Sequence, residues 1–218
     1  MLSHQSSGKT VAAHHDMMQF TDTLIESYEK HAYQRESSTI DEFKERERAE
    51  FLKFLKTERR KNLLEIGCGP GRDAQFFQSQ GFQVLAVDNA PTMVRLTAEK
   101  GVIAQVLDCY DLDQIDQTFD AVYTLNCLLH IPKKDIGHIF SLIVTRLNGN
   151  GLMYLGLWGG ENFEGILEQD TYEPKRFFSF WEPETLLEIV QQSFRLEYYR
   201  RLNPREGVTF NSIIVRKQ

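Results

Sequence analysis

Cysteine is scarce in this chain. Cys68, Cys109 and Cys127 are the only three in 218 residues, and no two stand in CxxC spacing. An odd, scattered set supplies neither a disulfide framework nor a zinc site, so no metal is expected. Unpaired thiols point to a reducing compartment, and the expected location is cytoplasmic. Long apolar runs are missing too. None approaches the roughly 20 residues of a membrane helix, and residues 1–15 have no apolar signal-peptide core. No membrane partner is expected. Positive charge is in deficit: 25 Lys+Arg against 31 Asp+Glu give a net charge of −6. Phosphate backbones are bound by clustered cations, so that balance argues against a nucleic-acid partner. It leaves room for a small anionic ligand.

The composition itself, 41% hydrophobic and 26% charged, is that of an ordinary globular protein. Residues 1–15 are polar and read as a flexible tail. Residues 16–60 read as a helical cap. Met17, Phe20, Leu24, Ile25 and Tyr28 recur at helical spacing, and Ser37-Ser38-Thr39 separates them from a second helix over about 40–56. Its charged run KERERAE reads as a solvated face rather than a docking surface. From residue 61 the texture changes to short apolar runs: 62–67, 83–88, 103–108, 119–125 and 151–158. Helical segments lie between them at about 72–80, 90–99 and 134–147. Such alternation predicts a parallel sheet covered on both faces. A last helix, about 183–193, precedes two further runs, 194–202 and 208–216, which read as a hairpin. No repeat or second-domain boundary is visible.

The sharpest local signal is Leu63-Leu64-Glu65-Ile66-Gly67-Cys68-Gly69-Pro70-Gly71-Arg72-Asp73. A buried strand runs into three alternate glycines and then a helix. In open α/β sheets ligands bind beyond the carboxyl ends of the strands, so this loop points at a ligand. Asp88 ends the next strand, placed to accept from ribose hydroxyls. A dinucleotide fingerprint wants glycine or alanine where Arg72 stands, and Pro70 removes an amide that could face a phosphate. No GxxxxGK[ST] sequence occurs. The loop suits an adenosine ligand without a pyrophosphate.

These residues resemble the class I S-adenosylmethionine-dependent methyltransferases, in particular the small-molecule group often called the type 11 methyltransferase domain. The likeness spans Tyr28 to the chain end. It rests on Glu65–Gly71, Val87–Met93, Leu107–Cys109, Phe119–Asn126 and Leu147–Leu152, in family order. It implies a Rossmann-like, seven-stranded, mostly parallel sheet with one antiparallel strand and helices on both faces. It also implies S-adenosyl-L-methionine as cofactor, with S-adenosyl-L-homocysteine as product. Gly67 and Gly69 would lie against its methionine portion, Asn126 would hold the amino-acid end, and Glu65 and Cys68 are further expected cofactor contacts. Asp88, with Asn89 beside it, would take the ribose. Asp108 and the Cys109 amide would read the adenine, and Met93 would pack on its face. Tyr28 falls where the family's N-terminal helix closes over the cofactor.

Methyl transfer from a sulfonium needs approach geometry and exclusion of water more than acid–base help. His130, just past the fourth strand, is the candidate base. The long connection 159–182 carries many aromatics and acids. Trp158, Tyr172, Arg176 and Trp181 are the candidate acceptor contacts, in a lid over a flat or cationic small molecule. The same segment also reads as a structural flap. The expected enzyme is a monomer or homodimer. A non-catalytic cofactor binder and a protein or nucleic-acid methyltransferase are the alternatives.

Overall fold

The computed structural model describes residues 7–218, with side chains from Thr21 onward. Residues 1–6 of the expected tail, and the side chains of Met17 and Phe20, lie outside the described set. The first helix, α1, runs over Ser7–Ser37. It therefore starts before Asp16; residues 7–15 contain two alanines and no proline, so nothing in them stops a helix. Helix α2 (Glu42–Thr57) follows.

Strand and helix then alternate: β1 (Asn62–Ile66), α3 (Arg72–Ser79), β2 (Gln83–Asp88), α4 (Pro91–Glu99), β3 (Ile103–Val106), β4 (Phe119–Leu125), α5 (Ile136–Arg146) and β5 (Leu147–Gly159). The connection after β5 holds a hairpin of its own, β6 (Phe163–Ile166) against β7 (Phe177–Phe180). Helix α6 (Pro183–Gln191) leads to β8 (Phe194–Arg205) and β9 (Val208–Lys217). The main sheet has seven strands in the order β3-β2-β1-β4-β5-β9-β8. Only β9 runs against the rest, antiparallel to both neighbours.

Strand β1 lies between β2 and β4, parallel to both. The chain winds outward from β1 through β2 to β3, then returns to β4 on the other side. That reversal opens a crevice beyond the carboxyl ends of β1 and β4, where ligands of such sheets bind. The inner strands β1, β2, β4 and β5 carry near-continuous apolar runs because both faces are covered, whereas edge strand β3 leaves Ile103 and Val106 exposed. On one face, Phe51 of α2 packs with Tyr123 and Tyr154, whose rings stack at 4.8 Å. On the other, α5 and α6 cover the strands, and Phe178 and Trp181 of the hairpin region join the same apolar cluster.

The charged run of α2 is not wholly solvated. Arg48 is buried and its Nη1 stands 2.6 Å from Asp73. Buried Glu47 accepts from the Tyr198 hydroxyl and from Arg200, each at 3.0 Å. Residues 47 and 48 turn toward the sheet, where their charges are paired.

Candidate active site

The crevice is walled by the glycine loop, the ends of β2, β4 and β7, and α1. Gly67, Gly69 and Gly71 all have positive φ (72°, 53° and 81°). At Gly67 the requirement is also spatial: a Cβ there would stand 2.5 Å from Cys127 Sγ. At Gly69 a Cβ would meet nothing within 4 Å, so it is the positive φ that suits glycine there.

Asp88 spans the loop. One carboxylate oxygen accepts the Gly69 N–H at 2.8 Å and the other the Ala90 N–H at 3.0 Å. Burial raises its carboxyl above the ordinary value, and those two amides pull it back. Asp108 is held alike, by the Tyr110 N–H at 3.0 Å and the Asn89 amide at 3.1 Å. Each oxygen keeps a free lone pair. Asp88, Asn89, Met93, Asp108 and Cys109 line one cavity with Gly67 and Gly69, together with Tyr28, His130 and Asn126. A second, more polar cavity meets it at Arg35, Gly67, Gly69, Leu125 and Asn126, and extends past Cys68, Lys44 and Glu65. Asn126 has φ 54°, sparsely populated for a non-glycine residue. Its Oδ1 and Glu65 Oε2 are buried with no hydrogen-bond partner. Burial holds the Glu65 carboxyl well above the ordinary range.

The far end is closed by a directed chain of hydrogen bonds. Arg176 can only donate, and its Nη1 meets Tyr28 Oη at 3.2 Å. Tyr28 Oη is 2.7 Å from His130 Nε2, and His130 Nδ1 is 2.7 Å from the Phe177 carbonyl. A carbonyl must receive a proton, so Nδ1 carries one. Nε2 then accepts from Tyr28. Burial pushes His130 down to about 3, so the ring is neutral. Burial works against a charge on Asp170, but hydrogen bonds from Arg176 overcome it and hold it at about 2.

Of the expected acceptor contacts, Arg176 and Tyr172 stand beside Tyr28: Arg176 lies 3.9 Å over the Tyr172 ring, which stacks on His31. Trp158 and Trp181 are elsewhere. Trp158 packs on Phe43 and Phe210 under Lys44, and Trp181 is buried in the core beneath Lys133. None of the four is among the residues lining the cavity; the two large rings next to the sheet bury more surface as core. Most acids of 159–182 are solvent-exposed, Glu161, Glu164, Glu168 and Glu173 included. Asp170 alone turns inward, and it is paired. One residue passed unnoticed in the sequence is Arg35. It lines both cavities, its guanidinium lies 5.3 Å over the Tyr28 ring, and no carboxylate pairs with it among the described residues. The available signal was its spacing, seven residues beyond Tyr28 on one helical face.

Residues 63–151, the span of this loop and the next three strands, match the family described as "Methyltransferase domain". Over that segment the chain is similar to the methyltransferase-domain family. The cofactor of that family is S-adenosylmethionine. An uncharacterized methyltransferase of Alkaliphilus oremlandii (strain OhILAs) is 22% identical over 149 residues, 68% of this chain and 65% of that protein. A ubiquinone biosynthesis O-methyltransferase of Bradyrhizobium sp. (strain ORS 278) is 30% identical over 96 residues, 42% of this chain and 37% of that protein. The chain thus spans less than two thirds of the length of either relative. In fold, it is similar over its whole length to the 1,6-didemethyltoxoflavin-N1-methyltransferase of Burkholderia thailandensis. That structure has 1,6-didemethyltoxoflavin and S-adenosylhomocysteine bound; the TM-score is 0.72 at 20% identity, covering 93% of that chain.

The residues around the methyltransferase glycine loop fit such a cofactor. Two buried orphan acceptors, Asn126 Oδ1 and Glu65 Oε2, suit an ammonium. Arg35, a cation without a carboxylate, suits a carboxylate. The free lone pairs of Asp88 suit a ribose diol. Among the described residues no cluster could hold a metal ion, and no helix is long and apolar enough to cross a membrane.

Proposed function

We propose that this chain transfers a methyl group from S-adenosyl-L-methionine to a small-molecule acceptor. The observation that carries the reading is the joined pair of cavities. One end has the Asp88 and Asp108 carboxylates, the junction has orphan acceptors and a cation without a carboxylate, and Tyr28, His130 and Phe177 also line the cavity. Asp88 would hold the ribose, and Asp108 and the Cys109 amide the adenine against Met93. Asn126 and Glu65 would take the amino group and Arg35 the carboxylate. When bound, the cofactor supplies an activated methyl on a sulfonium.

The protein's own part is placement and exclusion of water. His130 is a positioning residue in this reading. A base works best with a pKa near the operating pH, and His130 is far below it with its free nitrogen already taken by Tyr28. Among the described residues no unpaired acid faces the acceptor end, so a flat, neutral nucleophile fits better than a cationic one. Helix α1 and the β6–β7 hairpin roof the crevice, which favours a small acceptor over a macromolecule. The ubiquinone-biosynthesis relative and the didemethyltoxoflavin-bound neighbour bear names of small-molecule enzymes, in keeping with that class. Three free thiols support a cytoplasmic setting.

The test is a thermal-shift and turnover pair. S-adenosylhomocysteine should raise the melting temperature through native-state binding, and NAD should not. A metabolite panel scored by S-adenosylhomocysteine release should then yield an acceptor. A shift with NAD and none with the S-adenosyl compounds would end this reading. Binding without turnover on any small molecule would leave a cofactor-binding protein.

A further inference from the structure

We infer that Glu29 sets the affinity and residence time of the cofactor without touching it, by fastening α1 to the start of α4. The inference rests on the cofactor reading above.

Helix α4 has no cap of its own. Its N-cap is Ala90 and its first residue Pro91, so no side chain of α4's own entry satisfies the first amides. Glu29 supplies the cap from another helix. Its Oε1 accepts the Thr92 N–H and its Oε2 the Thr92 hydroxyl, both at 2.7 Å. The carboxylate charge also sits where the α4 dipole is positive. The peptide just before this point is the one that bears the candidate ribose carboxylate: Ala90 donates to Asp88, two residues before Thr92 is gripped by Glu29. The helix that carries Glu29 also gives Thr21, Leu24, Tyr28 and Arg35 to the cavity wall.

The rest of the α1–α4 contact is slight. The apolar part is Ala32 against Ala90, Met93 and Leu96, with Tyr28 at its edge. Farther along, Tyr33 meets Arg95 at 2.8 Å on an exposed surface, and Glu36 meets Lys100 at 2.7 Å. The exposed Tyr33–Arg95 contact holds little, and the half-buried Lys100–Glu36 pair holds somewhat more. So small a patch makes local release of α1 from α4 easier than unfolding of the sheet. If the cofactor is held only while α1 is docked, its apparent dissociation constant scales as the inverse of the docked fraction. Tyr28 on His130 and Arg176, and Arg72 on the last α1 carbonyls, hold the same helix elsewhere, and Glu29 adds two short charge-assisted bonds on its α4 side.

The experiment measures S-adenosylhomocysteine binding and release by calorimetry and stopped flow. Amide exchange on the free protein accompanies it. For Glu29→Ala, release should quicken and affinity weaken at least about tenfold, as the loss of two such bonds implies. Exchange across residues 24–36 should rise while β1, β4 and β5 stay protected. Glu29→Gln can still accept from the amide and donate to the hydroxyl, so it should return to within about threefold of the parent. Arg95→Ala should change neither number beyond about twofold. Should Glu29→Ala not fold, Thr92→Val removes the hydroxyl alone, and faster release is again expected. Unchanged release in these variants would overturn the inference while leaving the cofactor reading intact. So would a rise in exchange spread equally over the core strands, which would make Glu29 a general stability residue. A parent protein that does not bind S-adenosylhomocysteine at all would instead end the cofactor reading.

Discussion

Tyr28 Oη and His130 Nε2 are 2.7 Å apart, although 102 residues separate them in the chain. The contact joins α1 to the loop after β4, and its direction is fixed because Phe177 takes the other ring proton. His130 is buried, so a lost donor leaves an acceptor nitrogen with nothing to receive. Tyr28→Phe should therefore cost about 1–3 kcal/mol of stability, read as a lowered urea midpoint at pH 7. His130→Phe together with Tyr28→Phe should cost less than the sum of the two single changes, since both polar partners are then gone. Additive losses would mean the two groups do not depend on each other.

The same burial makes a pH prediction. His130 is lowered from 6.5 to about 3 in the folded protein. The unfolded chain thus binds the extra proton between those values. Its contribution to stability is fully present above about pH 6.5 and is lost as the pH falls toward 3. Asp170, lowered from 3.8 to about 2, acts in the same direction but only below pH 4. Urea midpoints at pH 7 and pH 4.5 separate the two groups. The parent should lose stability over that interval, and His130→Asn should lose distinctly less. Equal slopes would show that the ring is not held neutral by the fold.

Much of the frame was legible in the sequence because the strands of the parallel sheet are short apolar runs with a glycine, an acid or an asparagine at or just past their ends. Gly67, Gly69, Asp88, Asp108 and Asn126 stand at those ends, and the cavity gathers all five. The β6–β7 hairpin was not legible. FEGI and FFSF are four residues each, ten residues apart, and Ile166 points to solvent, so neither run has a clean period. Trp158 and Trp181 misled for a related reason. Aromatic content marks where apolar area is available, not whether a ring faces a ligand or the core. Arg35 was hidden among the many charges of α1–α2, where only its helical phase relative to Tyr28 distinguished it.

Arg35 yields a prediction that separates the two halves of the cofactor. It stands where the cavities meet, without a paired carboxylate. Arg35→Ala should weaken S-adenosylhomocysteine binding by about tenfold or more, the loss of a charge-assisted contact. 5′-Methylthioadenosine has the same nucleoside and no carboxylate, so its affinity should stay within about threefold. Calorimetry with both ligands on the folded variant decides. Equal weakening of the two would place Arg35 at the nucleoside, or make it a support for Tyr28.

The remaining prediction concerns the loop between β6 and β7. Asp170 grips Arg176 through both carboxylate oxygens, at 2.6 and 2.8 Å, and also takes the Arg176 N–H at 3.0 Å. The side chains are only 3% and 12% exposed. Arg176 in turn reaches Tyr28 and lies on Tyr172, so this pair is the clasp between the hairpin and α1. Asp170→Asn keeps the shape but leaves a guanidinium buried without its countercharge, a loss of about 3–5 kcal/mol where no relaxation occurs. The loop can relax outward, so the cost should appear there as local opening rather than global unfolding. Amide exchange over 167–176 should rise at least about tenfold, with the core strands β1, β4 and β5 unchanged. Exchange that stays as slow as in the parent would show that the hairpin is held by Phe178 and Trp181 in the core, and that the clasp adds nothing to it.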